Sequence, residues 1–373
     1  MSALLDDRAI AQRILDHIDN QTTDLGESCW REPVENYRSP ERLELELERA
    51  FRTTPTPLCP SAALPTPGSY LARDAAGVPL LAVRGADGVA RVFRNACRHR
   101  GTQLACGRGR EKAFVCRYHG WAYGLDGALR NVPHDYGFPE LDKTTHGLVP
   151  VRTEERSGIV FVTQQPTTDA PQPIDAPDGL LGPELQLIAM NESVTEANWK
   201  IVAEGFLEGY HIFSTHRESF YPVQFDNLNV IERFGRNSRV TFPYRNIQKL
   251  RTVEPEQRRV AGTLTHVYHF FPNVIVATFP KRMVMTVLEP QGISATRTVN
   301  YTLAAEVTLA TDKEGVERDA GFVNRGARED RDVVESIQRG MASGANEVFE
   351  FGRFEAAIVH FHRNLDEAIA VGA

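Results

Sequence analysis

The sequence predicts an α+β protein of two domains, an all-β first domain and a second domain in which antiparallel strands precede C-terminal helices. Three observations carry this reading. Short alternating strands fill residues 51–165, a proline-rich stretch follows at 166–180, and helical periodicity opens and closes residues 181–373. The chain has 373 residues, 42% of them hydrophobic and 24% charged, enough to bury two cores.

Residues 1–50 carry helix-like patterning, with Ile14, Leu15 and Ile18 and then Leu43, Leu45 and Leu47, and form a helical segment expected to pack on the second domain. In the β-rich block, SYLARD, VPLLAVR, GVARVFRNAC and GIVFVTQ are separated by turns such as Ala86-Asp87-Gly88 and Asp126-Gly127. The stretch from Gln164 to Gly179 holds four prolines and little apolar content, so it reads as a linker. The second domain opens with EANWKIVAEGFLEGYHIFSTHRESF, of helical period, and continues through strands around GTLTHVYHFFPNVIVATF.

A net charge of −7 with no strongly basic run argues against nucleic-acid binding, and no apolar run approaches membrane-spanning length. The Arg-rich segment from Arg91 to Arg117 is the local exception, suited to an acidic electron donor or to an ordinary solvated loop face. The N-terminus has no apolar signal segment, and a cytoplasmic location is expected.

The chemistry concentrates in two places. Cys97-Arg98-His99, sixteen residues, then Cys116-Arg117-Tyr118-His119 is a C-x-H-x16-C-x2-H pattern. Two thiolates and two imidazoles in this order suit a Rieske-type 2Fe-2S cluster, in which two imidazoles replace thiolates on one iron and raise the potential. Structural zinc also takes two Cys and two His, but zinc sites usually pair like with like along the chain, whereas each element here holds one of each. Gly101 and Gly120 follow the two ligand pairs, where backbone can approach the cluster. Cys29, Cys59 and Cys106 remain outside the motif.

The second place is 204–216. On a continuous helix Glu204 and His211 lie within roughly 20° of each other and Glu208 within roughly 60° of His211. His216 would share a metal with His211 only if the helix loosens between them, which Ser214-Thr215 permits. Two histidines and a carboxylate make the facial triad of non-haem Fe(II) oxygenases. No G-x-G-x-x-G follows a strand, so NAD and flavin are expected on another protein.

With C-R-H-R-G, C-x-Y-H-G-W-x-Y, N-W-K, E-G-F-L-E-G-Y-H-x4-H, D-x-V-E-S-x-Q-R-G-M and H-F-H-R-N-L in place, nearly the whole chain resembles the large (alpha) subunits of Rieske non-haem iron ring-hydroxylating oxygenases. The resemblance implies a catalytic domain whose antiparallel sheet grips a C-terminal helix. It also implies a 2Fe-2S cluster on Cys97, His99, Cys116 and His119, and a mononuclear Fe(II) on His211, His216 and Asp332.

As residues alone, Asp332 joins Glu335, Ser336 and Arg339 on a polar helix face opposite Val333, Ile337 and Met341, and Asp330 or Glu335 stays open as the ligand. Glu208 stands where the family places a bridging aspartate between a Rieske histidine of one subunit and an iron-bound histidine of the next. This glutamate resembles the branch acting on quaternary amines such as carnitine and glycine betaine. Gly205 departs from the family's usual Asn. The resemblance further implies a homotrimer and a separate NAD(P)H-dependent flavin and iron–sulfur reductase, with or without a ferredoxin.

The reaction expected is hydroxylation, dihydroxylation or N-demethylation of a small organic substrate, a quaternary amine or aromatic acid, with O2. A Rieske-type electron carrier without oxygenase activity and a zinc-stabilised binding module are the competing readings. His266, His269, Phe270, Phe271 and Phe279, with Phe206, Tyr210 and Phe213, are candidates either for the pocket lining or for core. His360 and His362 read as structural or surface residues.

Overall fold

The computed structural model describes residues 4–168, 170 and 172–370. The chain divides into two compact units, one of residues 52–183 and the other of residues 1–51 together with 184–373. In the first unit a seven-stranded sheet runs in the order Thr56–Pro60, Ile159–Thr163, Pro150–Arg156, Ala90–Arg94, Val78–Arg84, Ser69–Ala75, Gly107–Arg110. A three-stranded sheet of Phe114–Val115, Ala122–Tyr123 and Leu129–Asn131 lies within the same unit. Leu81, Val83, Phe93, Trp121 and Tyr123 are among the side chains that close its core beneath the two cysteine loops.

The segment 166–180 is not a free connection. It stays with the first unit, where Ile174 and Leu181 are buried and Leu181 N–H donates to the Ser157 carbonyl. Gly158, at φ +75°, is the matching device: a Cβ there would sit 1.7 Å from the Leu181 carbonyl oxygen. Prolines reduce the entropy of such a strap as readily as that of a linker, which is why composition alone misreads it.

The second unit is built on a seven-stranded antiparallel sheet. Val230–Phe234, Asn237–Pro243, Leu264–Phe270, Val274–Thr278, Met283–Pro290 and Thr296–Ala305 each pair with the next, and Leu185–Thr195 pairs with the last. The N-terminal helix Asp7–Asn20 buries Ile10, Ala11 and Ile14 against Leu228, Val230 and Ile247 of this unit. Asp6 caps it by accepting from the Ala9 N–H. The C-terminal helix Ala356–Ala370 is buried along most of its length, with Phe361 and Leu365 inaccessible.

The N-W-K motif forms the joint of this unit. Asn198 caps the helix Trp199–Glu204 through the Lys200 N–H. Lys200 is almost wholly buried and places its ammonium 2.7 and 2.9 Å from the two Glu46 carboxylate oxygens, while Trp199 Nε1–H donates to the same carboxylate at 2.9 Å. Burial pulls the Lys200 ammonium below its ordinary range, and Glu46 acts against that pull. Arg42 Nε also reaches Glu46, at 3.2 Å, so removing Lys200 leaves the buried carboxylate with one cation in place of two.

Lys200→Met is therefore expected to destabilise the unit by ~3–5 kcal/mol. The measurement is its denaturant midpoint, and pairing the change with Glu46→Gln should recover part of the loss. An unchanged midpoint for the single variant would remove this pair from the account.

Candidate active site

The two cysteine loops share one backbone construction. In each, the glycine four residues on donates to the cysteine carbonyl, Gly101 to Cys97 and Gly120 to Cys116, both at 2.9 Å. Each cysteine N–H in turn donates to the carbonyl five residues on, that of Thr102 or of Trp121. Both glycines need φ above +70°, at +76° and +72°, a conformation open to glycine with no steric cost. The loops bury the Cys97 and Cys116 side chains, leave His99 half-buried and expose His119. The imidazole rings lie 4.7 Å apart, and His99 stacks on Trp121 with only 8° between the planes.

Burial pushes the Cys116 thiol up, but N–H groups of Tyr118 and His119 outweigh it and favour the thiolate. Tyr123 places its hydroxyl 3.3 Å from Cys97 Sγ and accepts from the Arg98 N–H. Two buried sulfurs, one half-buried and one exposed imidazole, and surrounding hydroxyl and amide donors fit a 2Fe-2S cluster with its His119 side toward solvent. Arg98, Arg100, Arg108, Arg110 and Arg117 are exposed in this unit. Cys106 and Cys59 are unpaired thiols, and burial pushes Cys59 up to about 12.

In the second unit, the periodic segment after the N-W-K motif does not continue as one helix. It stops at Glu204, whose carboxylate turns into the core to meet the Tyr37 hydroxyl at 2.7 Å and His362 Nε2 at 2.8 Å. Glu204 and His211 therefore do not share a face. His362 is a buried structural residue, and burial takes His360 down to about 4. The chain turns through Gly205–Tyr210 and makes one helical turn, Ile212–Thr215, with His211 at its start and His216 at its end. That single turn brings the two rings to 5.1 Å.

The carboxylate that the structure brings beside the two histidines comes from the long helix Lys313–Met341 and is Asp330, whereas the expected Asp332 stands outside this group. Asp330 Oδ1 lies 2.9 Å from His216 Nε2 and 3.6 Å from His211 Nε2. Asp332 is exposed, about 200° around the helix from Asp330. The inward face of this helix is Val323, Ala327, Asp330 and Val334, a spacing of four, three and four residues. Val333 and Ile337 are the exposed positions, so the apolar face expected from the sequence was turned by one residue. Glu335 instead accepts from the Glu196 N–H.

Each histidine is held from behind. Glu208 takes His211 Nδ1 and also accepts from the N–H groups of Tyr210 and His211. Glu329, which sequence reading missed beside Asp330, lies 2.7 Å from His216 Nδ1. With both Nδ1–H groups donating to carboxylates, both Nε2 atoms are left as acceptors aimed at a carboxylate oxygen. His216 Nε2 is fully buried with no donor to satisfy it. Acceptors facing one another at about 3 Å are the spacing of neighbouring ligands on one six-coordinate cation. The donor set fits a ferrous ion with open positions. Burial would lower the His211 imidazole, but Glu208 and Asp330 outweigh it and hold it above its ordinary value.

The triad opens onto a cavity of about 210 Å³. This is below the ~300–1,000 Å³ of drug-sized sites, so the substrate is small. Phe206, Phe220, Phe242 and Phe279 line it. Of the other candidates, Tyr210 and Phe213 are exposed, and Phe270 and Phe271 are core. His266 and His269 do not line the cavity, and burial takes them down to about 3 and about 4. Gly205 also lines it, and a side chain there would find its nearest neighbour at 3.7 Å, so its absence enlarges the cavity.

Residues 184–371 match the family described as ring hydroxylating alpha subunit (catalytic domain), and residues 54–142 match the Rieske [2Fe-2S] domain. The chain belongs to the ring-hydroxylating oxygenase alpha subunits. This family membership sets aside both the zinc module and the carrier without a catalytic domain.

Choline monooxygenase of Beta vulgaris is 27% identical over 366 residues, covering 92% of this chain and 78% of that protein. The carnitine monooxygenase oxygenase subunit of Escherichia coli K12 is 28% identical over 366 residues, covering 91% and 94%. A solved quaternary ammonium Rieske monooxygenase, described for carnitine oxidation and inter-subunit electron transfer, shares the fold with a TM-score of 0.75 at 22% identity, covering 91% of this chain and 95% of that one.

As a ring-hydroxylating oxygenase, the protein is the terminal component of its system, carrying a Rieske cluster and a mononuclear non-haem iron. Bound iron supplies the binding and reduction of O2 beside the substrate. The protein's own contribution would be positional: Glu208 and Glu329 engage the Nδ1 sides of the two rings, Asp330 sets a carboxylate against their Nε2 sides, and four phenylalanines line the adjoining cavity. Among the described residues no helix is long and apolar enough to cross a membrane.

Asp330→Ala should abolish ferrous-ion binding outside the cluster while the visible cluster spectrum persists, and Asp332→Ala should leave binding intact. Calorimetric titration of Fe(II) into each anaerobic protein makes the comparison. Binding lost in the Asp332 variant and kept in the Asp330 variant would reverse the assignment.

Proposed function

We propose that this oxygenase inserts one oxygen atom into a C–H bond of a small quaternary amine. The second oxygen leaves as water at the expense of two electrons and two protons. The observation that carries the reading is the cavity itself: four phenylalanine rings and no free carboxylate around a space suited to a small molecule. Aromatic faces attract an onium group that has no N–H to donate. The naming of its choline and carnitine relatives supports the same substrate class. Small aromatic acids are the competing class, since phenylalanines also stack on rings.

His211, His216 and Asp330 hold the mononuclear iron, and Cys97, His99, Cys116 and His119 hold the cluster. Electrons come from a separate NAD(P)H-dependent reductase that docks on the exposed arginines near the cluster loops. They then pass from His119 of one subunit through Glu208 to His211 of the next in a homotrimer. Two features support that path: His119 is exposed, and Glu208 is a part-exposed carboxylate hydrogen-bonded to His211 with the exposed Tyr210 beside it. The unpaired thiols accord with a reducing, cytoplasmic setting.

NADH-coupled oxygen uptake with a matched reductase should be stimulated by trimethylammonium compounds and not by benzoates, after peroxide release is subtracted. The opposite preference would overturn the substrate class. Glu208→Gln should keep both metals and slow substrate-dependent reoxidation of the cluster by about 10–100-fold in stopped flow. A normal rate would end the bridging role.

A further inference from the structure

The floor of the cavity is chemically divided. Toward the strand Asn237–Pro243 it is mostly apolar, with Ala277, Val267 and Phe242 and, opposite Phe242, Thr265, whose hydroxyl is engaged by Tyr244. On the other three strands it is polar. Ser193 stands opposite Thr298, and Thr286 stands opposite Asn300, so the four side chains form one continuous strip across Leu185–Thr195, Thr296–Ala305 and Met283–Pro290.

Two features give this strip a sign. Thr286 Oγ1–H donates to Asn300 Oδ1 at 2.7 Å, which occupies the acceptor end of the amide and fixes its orientation. Asn300 lines the cavity, and among the described residues nothing accepts from its NH2 group, so two donors are open to a ligand. Arg331, the residue after Asp330, also lines the cavity and donates to Ser193 Oγ at 3.1 Å, setting a guanidinium beside the strip. No carboxylate pairs with it among the described residues. The two carboxylates that do reach the cavity are committed, Asp330 to the histidine Nε2 atoms and Glu208 to His211 Nδ1.

We propose that Arg331 and Asn300 bind a carboxylate of the substrate, which is then a zwitterion carrying an onium group at the phenylalanines and a carboxylate at the polar strip. The carboxylate half stands on the strip alone, and the onium half rests on the quaternary-amine reading given above. A guanidinium and an amide NH2 present only donors, and a carboxylate is the small group that accepts from both. An alcohol of the same size offers the guanidinium, which is otherwise exposed to solvent, no charge to pair with. Arg331 and Asn300 are thus the residues that separate betaines from amino-alcohols.

Equilibrium binding to the anaerobic holoenzyme, measured by calorimetry, tests this with glycine betaine, choline and benzoate as probes. Charge-assisted hydrogen bonding should favour glycine betaine over the similarly sized choline by roughly 10–100-fold. In Arg331→Gln and Asn300→Ala that ratio should fall toward one, with Arg331→Lys keeping part of it. The cluster absorbance and Fe(II) content show that each variant is folded. Choline binding as tightly as glycine betaine, or a ratio unmoved in both variants, overturns the proposal and leaves the quaternary-amine reading standing. If only benzoate binds and Arg331→Gln weakens it, the quaternary-amine reading falls while the carboxylate site is upheld. If only benzoate binds and neither variant weakens it, both are refuted.

Discussion

Three acceptors held within contact of one another, with their donors all turned outward, are the constraint around which the second unit is arranged. An imidazole nitrogen buried against a carboxylate oxygen is unfavourable unless a proton or a cation lies between them. The carboxylates of Glu208 and Glu329 remove the easiest escape by engaging the Nδ1 side of each ring. The protein thus stores a binding site for a divalent ion as an electrostatic debt within its own fold, and metal binding is linked to stability.

The scaffold explains how so few residues achieve this. One short helical turn carries both histidines, and its position is fixed upstream by the helix Trp199–Glu204, anchored at Glu46 through Trp199 and Lys200. The carboxylate arrives on a separate long helix, whose inward face also supplies Val323, Ala327 and Val334 to the cavity wall. The sheet closes the third side with a floor that is apolar at one end and polar at the other. The cluster unit is built differently, from two loops with the same hydrogen-bond pattern, so that the cysteines are buried and His119 is exposed.

Much of this was legible in the residues. The mixed Cys–His spacing with a glycine after each pair describes loops whose backbone geometry the structure then displays, because tight turns of positive φ leave a compositional mark. Ser214 and Thr215 do not break the helix between the two histidines but lie within the turn Ile212–Thr215 that joins them. The real break, at Gly205, leaves no mark, since Glu204 fits an amphipathic helix until its tertiary partners Tyr37 and His362 are known. Asp332 comes from the family resemblance alone, while the residues by themselves place it on a polar helix face opposite Val333 and Ile337 and leave Asp330 open. The spacing of Val323, Ala327 and Val334 marks the inward side and includes Asp330. Glu329 had no signature beyond standing next to it. The polar strip was invisible, as it depends on cross-strand register between segments that are distant in sequence.

The central claim is that one chain holds two separate iron centres, a cluster in the first unit and a single ion at the facing acceptors in the second. Iron and acid-labile sulfide, quantified together on anaerobically purified protein supplied with ferrous salt, test it most directly. About three irons and about two sulfides per chain are expected. Two irons with two sulfides would contradict it, leaving the cluster intact and the second site without its ion.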